Sequence, residues 1–109
     1  MKLDIGAFEA IDWSKVAVTE HAGETGVATW RTLQKGDVRI RMVEYSAGYL
    51  ADHWCQKGHI VLVVKGEVIN ELRDGKTSVL REGMGYTVSD EGEAHRSSTK
   101  TGATLFIVD

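Results

Sequence analysis

The 109-residue chain is long enough for one domain and too short for two. With 42% hydrophobic and 27% charged residues it can build an ordinary core, and a net charge of −3 argues against nucleic acid or anionic lipid as its main partner. No apolar run reaches the ~20 residues of a membrane helix, the single cysteine, Cys55, excludes an internal disulfide, and the acid-bearing start is no signal peptide, so a cytoplasmic protein is expected.

Residues 1–26 set Lys2 and Lys15 against Asp4, Glu9, Asp12, Glu20 and Glu24, which accounts for the whole charge imbalance. They read as an acidic arm anchored by Ile5, Phe8, Ile11 and Trp13, ahead of a body at 27–109. His21, within the arm, reads as solvated. From Val27 onward the chain is a series of short strand candidates separated by turn residues. Val27 to Leu33 closes at Lys35-Gly36-Asp37. Val38 to Tyr45 alternates, with Val38, Ile40 and Met42 on one face and Arg39 and Arg41 on the other, which reads as a sheet with one wet face. Tyr49 to Cys55, His59 to Val64 and Glu67 to Leu72 follow, with turns expected at Lys57-Gly58 and Lys65-Gly66. Asp74-Gly75 predicts a type I′ hairpin into Thr77 to Leu80. Tyr86 to Val88, His95 to Ser98 and Thr104 to Val108 complete eight or nine strands. Helical periodicity is absent after residue 27, so the fold class is all-β, a barrel or jelly roll.

The chemistry gathers in two places. In Asp52-His53-Trp54-Cys55, a regular strand would put His53 and Cys55 on one face and Asp52 and Trp54 on the other. A tight turn at Gly58 would return His59 beside Cys55, and His95 stands alone after the acidic turn at residues 89–93. If its strand lies beside the first pair, His53, Cys55, His59 and His95 converge as nitrogen and sulfur ligands. Imidazole and thiolate suit zinc, iron, nickel or copper, and not magnesium or calcium. Arg39, Arg41, Tyr45, Tyr49 and Tyr86 are candidates for a pocket mouth, and paired arginines can grip a carboxylate. Glu44 and Tyr86 are the candidates for a general base.

These residues resemble a family. Gly48, the Asp52-His53-Trp54-Cys55 run, His59 and Gly66-Glu67 resemble the first motif of the cupins, and Gly83, Val88, Gly92 and His95 resemble the second. The nearest likeness is to the small DHCW-motif cupins, whose last two letters are in the other order here. The resemblance implies a cupin-type double-stranded β-helix and one divalent transition metal, with His53 and His95 matching directly and Cys55 and His59 by position only. Cys55 replaces the usual second histidine, His59 the usual acid, and Asp90 the usual proline. Zinc is favoured for this softer set, followed by iron or nickel. Cupins include dioxygenases, isomerases, decarboxylases and non-catalytic binders, so two functions stand side by side. One is a metalloenzyme acting on a small oxygenated or carboxylated molecule; the other is a non-catalytic ligand or metal sensor. A metal-free epimerase using His53 as base is a third. The resemblance also implies a homodimer, with the arm near Trp13 as an edge or exchanged strand.

Overall fold

The computed structural model describes residues 2–109, so that Met1 of the expected arm lies outside it. After a single 3-10 turn at Trp13–Lys15 come eight strands: β1 (Val18–Ala22), β2 (Val27–Lys35), β3 (Val38–Tyr45), β4 (His59–Leu72), β5 (Thr77–Arg81), β6 (Gly85–Val88), β7 (His95–Ser98) and β8 (Ala103–Val108). All pairings are antiparallel. The order runs β1-β2-β3-β8-β4-β5, with β6 and β7 also on β4. This is a two-sheet jelly roll around one core, as the alternating pattern predicts. Among the described residues no helix is long and apolar enough to cross a membrane.

Strand β4 joins the sheets. Its first half pairs with β8 and β6, its second half with β5 and β7. Lys65-Gly66, expected as a turn between two strands, is instead a bend within one 14-residue strand. A register shift between Val63 and Lys65 adds one residue, so the buried positions change from Val61 and Val63 to Val68 and Asn70. Gly66 sits at φ +83° with the carbonyl of Gly102 where a Cβ would be. No side chain fits that approach.

Two further expectations change. Tyr49 to Cys55 is not a strand; it is tied down by isolated bridges, from Leu50 to Thr25 and Ser98 and from Cys55 to His95. Asp52 and His53 are exposed and their side chains bond each other. The Asp74-Gly75 hairpin is not type I′: only Gly75 has positive φ, at +98°, and Leu72 pairs with Lys76 across three residues. That is a type I turn closed by a glycine bulge. Val18–Ala22, counted with the arm, pairs with β2 as an edge strand.

The largest change is which face of β3 is wet. Arg41 is buried with Val43, and Val38, Ile40 and Met42 face outward. On β4 likewise, Ile60, Leu62 and Val64 lie outside, 54%, 44% and 40% exposed, while Val61 and Val63 face in beside Leu105 and Ile107. The outer side of this sheet is therefore apolar, partly covered by the arm, where Trp13 meets Phe106 edge-on at 6.4 Å and Arg31 donates to the carbonyls of Trp13, Ser14 and Val16. The inner side carries the arginines.

Candidate metal centre

Three donors converge where β4 and β7 begin. Cys55 is held against β7 by a reciprocal backbone pair with His95, 2.8 and 3.0 Å. The chain then turns through Lys57-Gly58, where Asp90 accepts from the Gly58 N–H at 2.7 Å, and His59 opens β4. This is the return that the Gly58 break predicts. Cys55 Sγ lies 3.4 Å from His59 Nε2 and accepts from the Lys57 N–H at 3.4 Å. One ligand atom from each of Cys55, His59 and His95 falls within 4.8 Å of the others.

Both rings are oriented from behind. His59 Nδ1 is 2.8 Å from Asp109 Oδ2, and His95 Nδ1 is 3.0 Å from the Glu93 carbonyl. In each case Nδ1 carries the proton and donates, which leaves Nε2 with a free lone pair. His95 is 3% exposed and its Nε2 has no hydrogen-bond partner among the described residues. A buried, unpartnered imidazole nitrogen beside a thiol and a second imidazole is a donor set that fits a transition metal.

His53 is not in this group. Its side chain is 72% exposed, with Nδ1 2.6 Å from Asp52 at the cavity mouth. The expected set of four thus assembles as three, because the segment before Cys55 is a loop and strand alternation does not apply to it. Trp54 lies under the guanidinium groups of Arg96 and Arg73, 4.7 and 5.4 Å away. His21 is not simply solvated: it stacks on Trp30 at 3.6 Å. Glu44 is exposed and does not line the cavity.

The cluster lies in a cavity of about 350 Å³ that all five pocket candidates line: Arg39, Arg41, Tyr45, Tyr49 and Tyr86. The arginines do grip a carboxylate, that of Asp109. Arg39 takes both oxygens, at 2.7 and 3.0 Å, and Arg41 Nη2 takes Oδ2 at 2.9 Å. The Asp109 side chain is wholly buried. Burial alone would raise its pKa, but hydrogen bonds from His59 and Arg39 and the charges of both arginines hold it well below the usual carboxylate range. Asp109 escaped the sequence reading; a lone acid ending an apolar strand, in register with Arg39, is its only mark there. Burial pushes the Tyr86 hydroxyl up to about 12 and raises that of Tyr45 too, so both stay protonated donors.

The chain superposes on solved structures along nearly its whole length. It is similar to a predicted oxalate decarboxylase from Thermotoga maritima, with TM-score 0.77 and 15% identity over 92% of this chain and 96% of that one. It is similar to an RmlC-like cupin from Shewanella frigidimarina, with TM-score 0.76 and 17% identity over 94% and 89%. It is also similar to the polyketide cyclase RemF from Streptomyces resistomycificus, with TM-score 0.76 and 19% identity over 94% and 78%. No family model matches the chain, and no curated protein matches it in sequence. At these identities the likeness carries the fold and not the activity. The fold of this chain is that of a single-domain cupin jelly roll.

Proposed function

We propose that this protein binds one divalent transition metal through Cys55, His59 and His95 and takes a small molecule into the adjoining cavity. The observation that carries the reading is the buried, unpartnered Nε2 of His95, within reach of Cys55 and His59. Zinc is the metal this set favours, with iron or nickel next. Three protein donors, where the sequence suggested four, favour an enzyme over a closed structural or sensing site, since catalytic metals keep a position for substrate. A metal there would act as a Lewis acid toward a bound oxygen. The chain's own part is to orient His59 through Asp109, to orient His95 through the Glu93 carbonyl, and to present the Tyr86 hydroxyl beside them. One similar structure is described as a predicted oxalate decarboxylase and another as a polyketide cyclase, in keeping with small-molecule chemistry in this fold.

Elemental analysis of protein purified without chelator tests the proposal. About one metal per chain is expected in the wild type, with most of it lost in Cys55→Ser and His95→Asn. A metal-free wild type overturns it.

One observation favours a second reading. Cys55 Sγ, His59 and Asp109 form a continuous line of 3.4 and 2.8 Å contacts, the arrangement of a thiol nucleophile whose base is oriented by a third group. Metal-free protein with Cys55 alkylated by iodoacetamide faster in the wild type than in His59→Gln would establish it.

The apolar outer faces of β3 and β4 also lead us to propose a homodimer through that sheet.

A further inference from the structure

The charged side chains that line the cavity are all cationic. Arg39, Arg41, Lys57 and Arg96 line it, and no acid among the described residues does. This occurs in a chain of net charge −3, so it is a local inversion and not a general basicity. Two of the four make clear paired contacts: Arg39 forks onto both oxygens of Asp109, and Arg96 Nη2 donates to Glu71 at 2.9 Å. Lys57 is exposed.

Arg41 is different. It is 4% exposed, it shares a single Asp109 oxygen with His59 and Arg39, and its Nε has no partner among the described residues. One buried carboxylate thus serves two guanidinium groups. Among the described residues Arg41 forms its ion pair with that shared carboxylate alone, and a buried cation is costly unless it is fully paired. A divalent ion held by a Cys55 thiolate would add to the positive charge there. The Arg41 guanidinium lies over Trp30, 4.3 Å from its ring centroid, a cation–π contact that helps to position the donor fork before any ligand arrives. The Tyr86 and Ser97 hydroxyls line the same space.

We infer that the cavity binds a small organic acid, its carboxylate seated against Arg41 and the Tyr86 hydroxyl, with the rest of the molecule toward Cys55, His59 and His95. The inference deepens the small-molecule half of the proposed function and rests on that cavity. A planar fork with neighbouring hydroxyl donors matches a carboxylate. About 350 Å³ admits a small ligand.

Calorimetric titration of glycolate, pyruvate and malonate into the full chain tests this, using wild type as purified, wild type dialysed against chelator, and Cys55→Ser. At least one acid is expected to bind one-to-one with a Kd under about 10 mM, and its neutral amide is expected not to bind. Arg41→Lys should weaken that acid at least ~10-fold, because lysine keeps the charge and loses the fork. Tyr86→Phe should weaken it ~10-fold through one lost hydrogen bond, and it decides the matter if Arg41→Lys does not fold. Binding that persists in Cys55→Ser upholds the inference even where the metal reading has failed. Binding confined to metal-loaded protein upholds it when Arg41→Lys weakens it, and overturns it when Arg41→Lys leaves it unchanged. No acid bound, an amide bound as tightly as its acid, or inorganic phosphate bound more tightly than every acid each overturns it.

Discussion

His59 and Asp109, 50 residues apart, meet with imidazole Nδ1 2.8 Å from carboxylate Oδ2, and the same oxygen accepts from Arg41 at 2.9 Å. One buried acid therefore orients a candidate ligand and holds the cavity's arginines together. Asp109→Asn should cost about 3 kcal/mol of stability, since it leaves buried Arg41 without its charge partner. It should also weaken metal binding by ~10–100-fold through the loosened His59 ring. Urea denaturation and competitive metal titration read the two effects separately. An unchanged metal affinity would remove Asp109 from the site while leaving its structural role.

His53 and His95 should separate in the same assay. His95→Asn is expected to lose most of the metal, and His53→Ala to keep it, because the His53 side chain is 72% exposed and outside the cluster. Metal lost equally from both would mean that the loop at residues 49–58 closes over the ion on binding.

The cavity tyrosines set the alkaline limit. The Tyr86 hydroxyl is pushed up to about 12 by burial, above the ~10 of an unfolded tyrosine. A raised folded value means the unfolded chain gives up its proton first. The stabilisation is complete below pH ~10 and is lost as pH rises from there toward about 12. Melting temperature measured across that range should fall, and Tyr86→Phe should fall less steeply. Parallel curves for the two proteins would rule out Tyr86 as the titrating group.

Gly66 should resist substitution. At φ +83° and packed on the Gly102 carbonyl, it is where β4 passes from one sheet to the other. Gly66→Ala should cost at least ~1–3 kcal/mol, read from chemical denaturation. A neutral effect would show that the bend does not need glycine.

If the outer face of β4 joins two copies, replacing exposed Leu62 with Glu should give a monomer without unfolding it. Light scattering at micromolar concentration decides this, and a wild-type monomer would refute the dimer outright.

Strand rhythm, turn residues and the absence of helical periodicity were enough to read an all-β jelly roll from the sequence, because period-two patterns and glycine turns are local properties. The Cys55–His59 return was legible for the same reason: a glycine break between two donors brings them together within five residues. What only tertiary structure decided depends on distant partners. Alternation told β3 that its two faces differ but not which one turns inward; Asp109, one residue past β8, makes the arginine face the buried one. Alternation also placed His53 with Cys55 on a strand, but Leu50 and Cys55 make only isolated bridges, so His53 swings out to Asp52. Lys65-Gly66 read as a turn because glycine does mark a break; whether the chain there reverses or crosses to a second sheet depends on the pairing of β4 with β8, β5 and β7, which is set by hydrogen bonds across the whole chain.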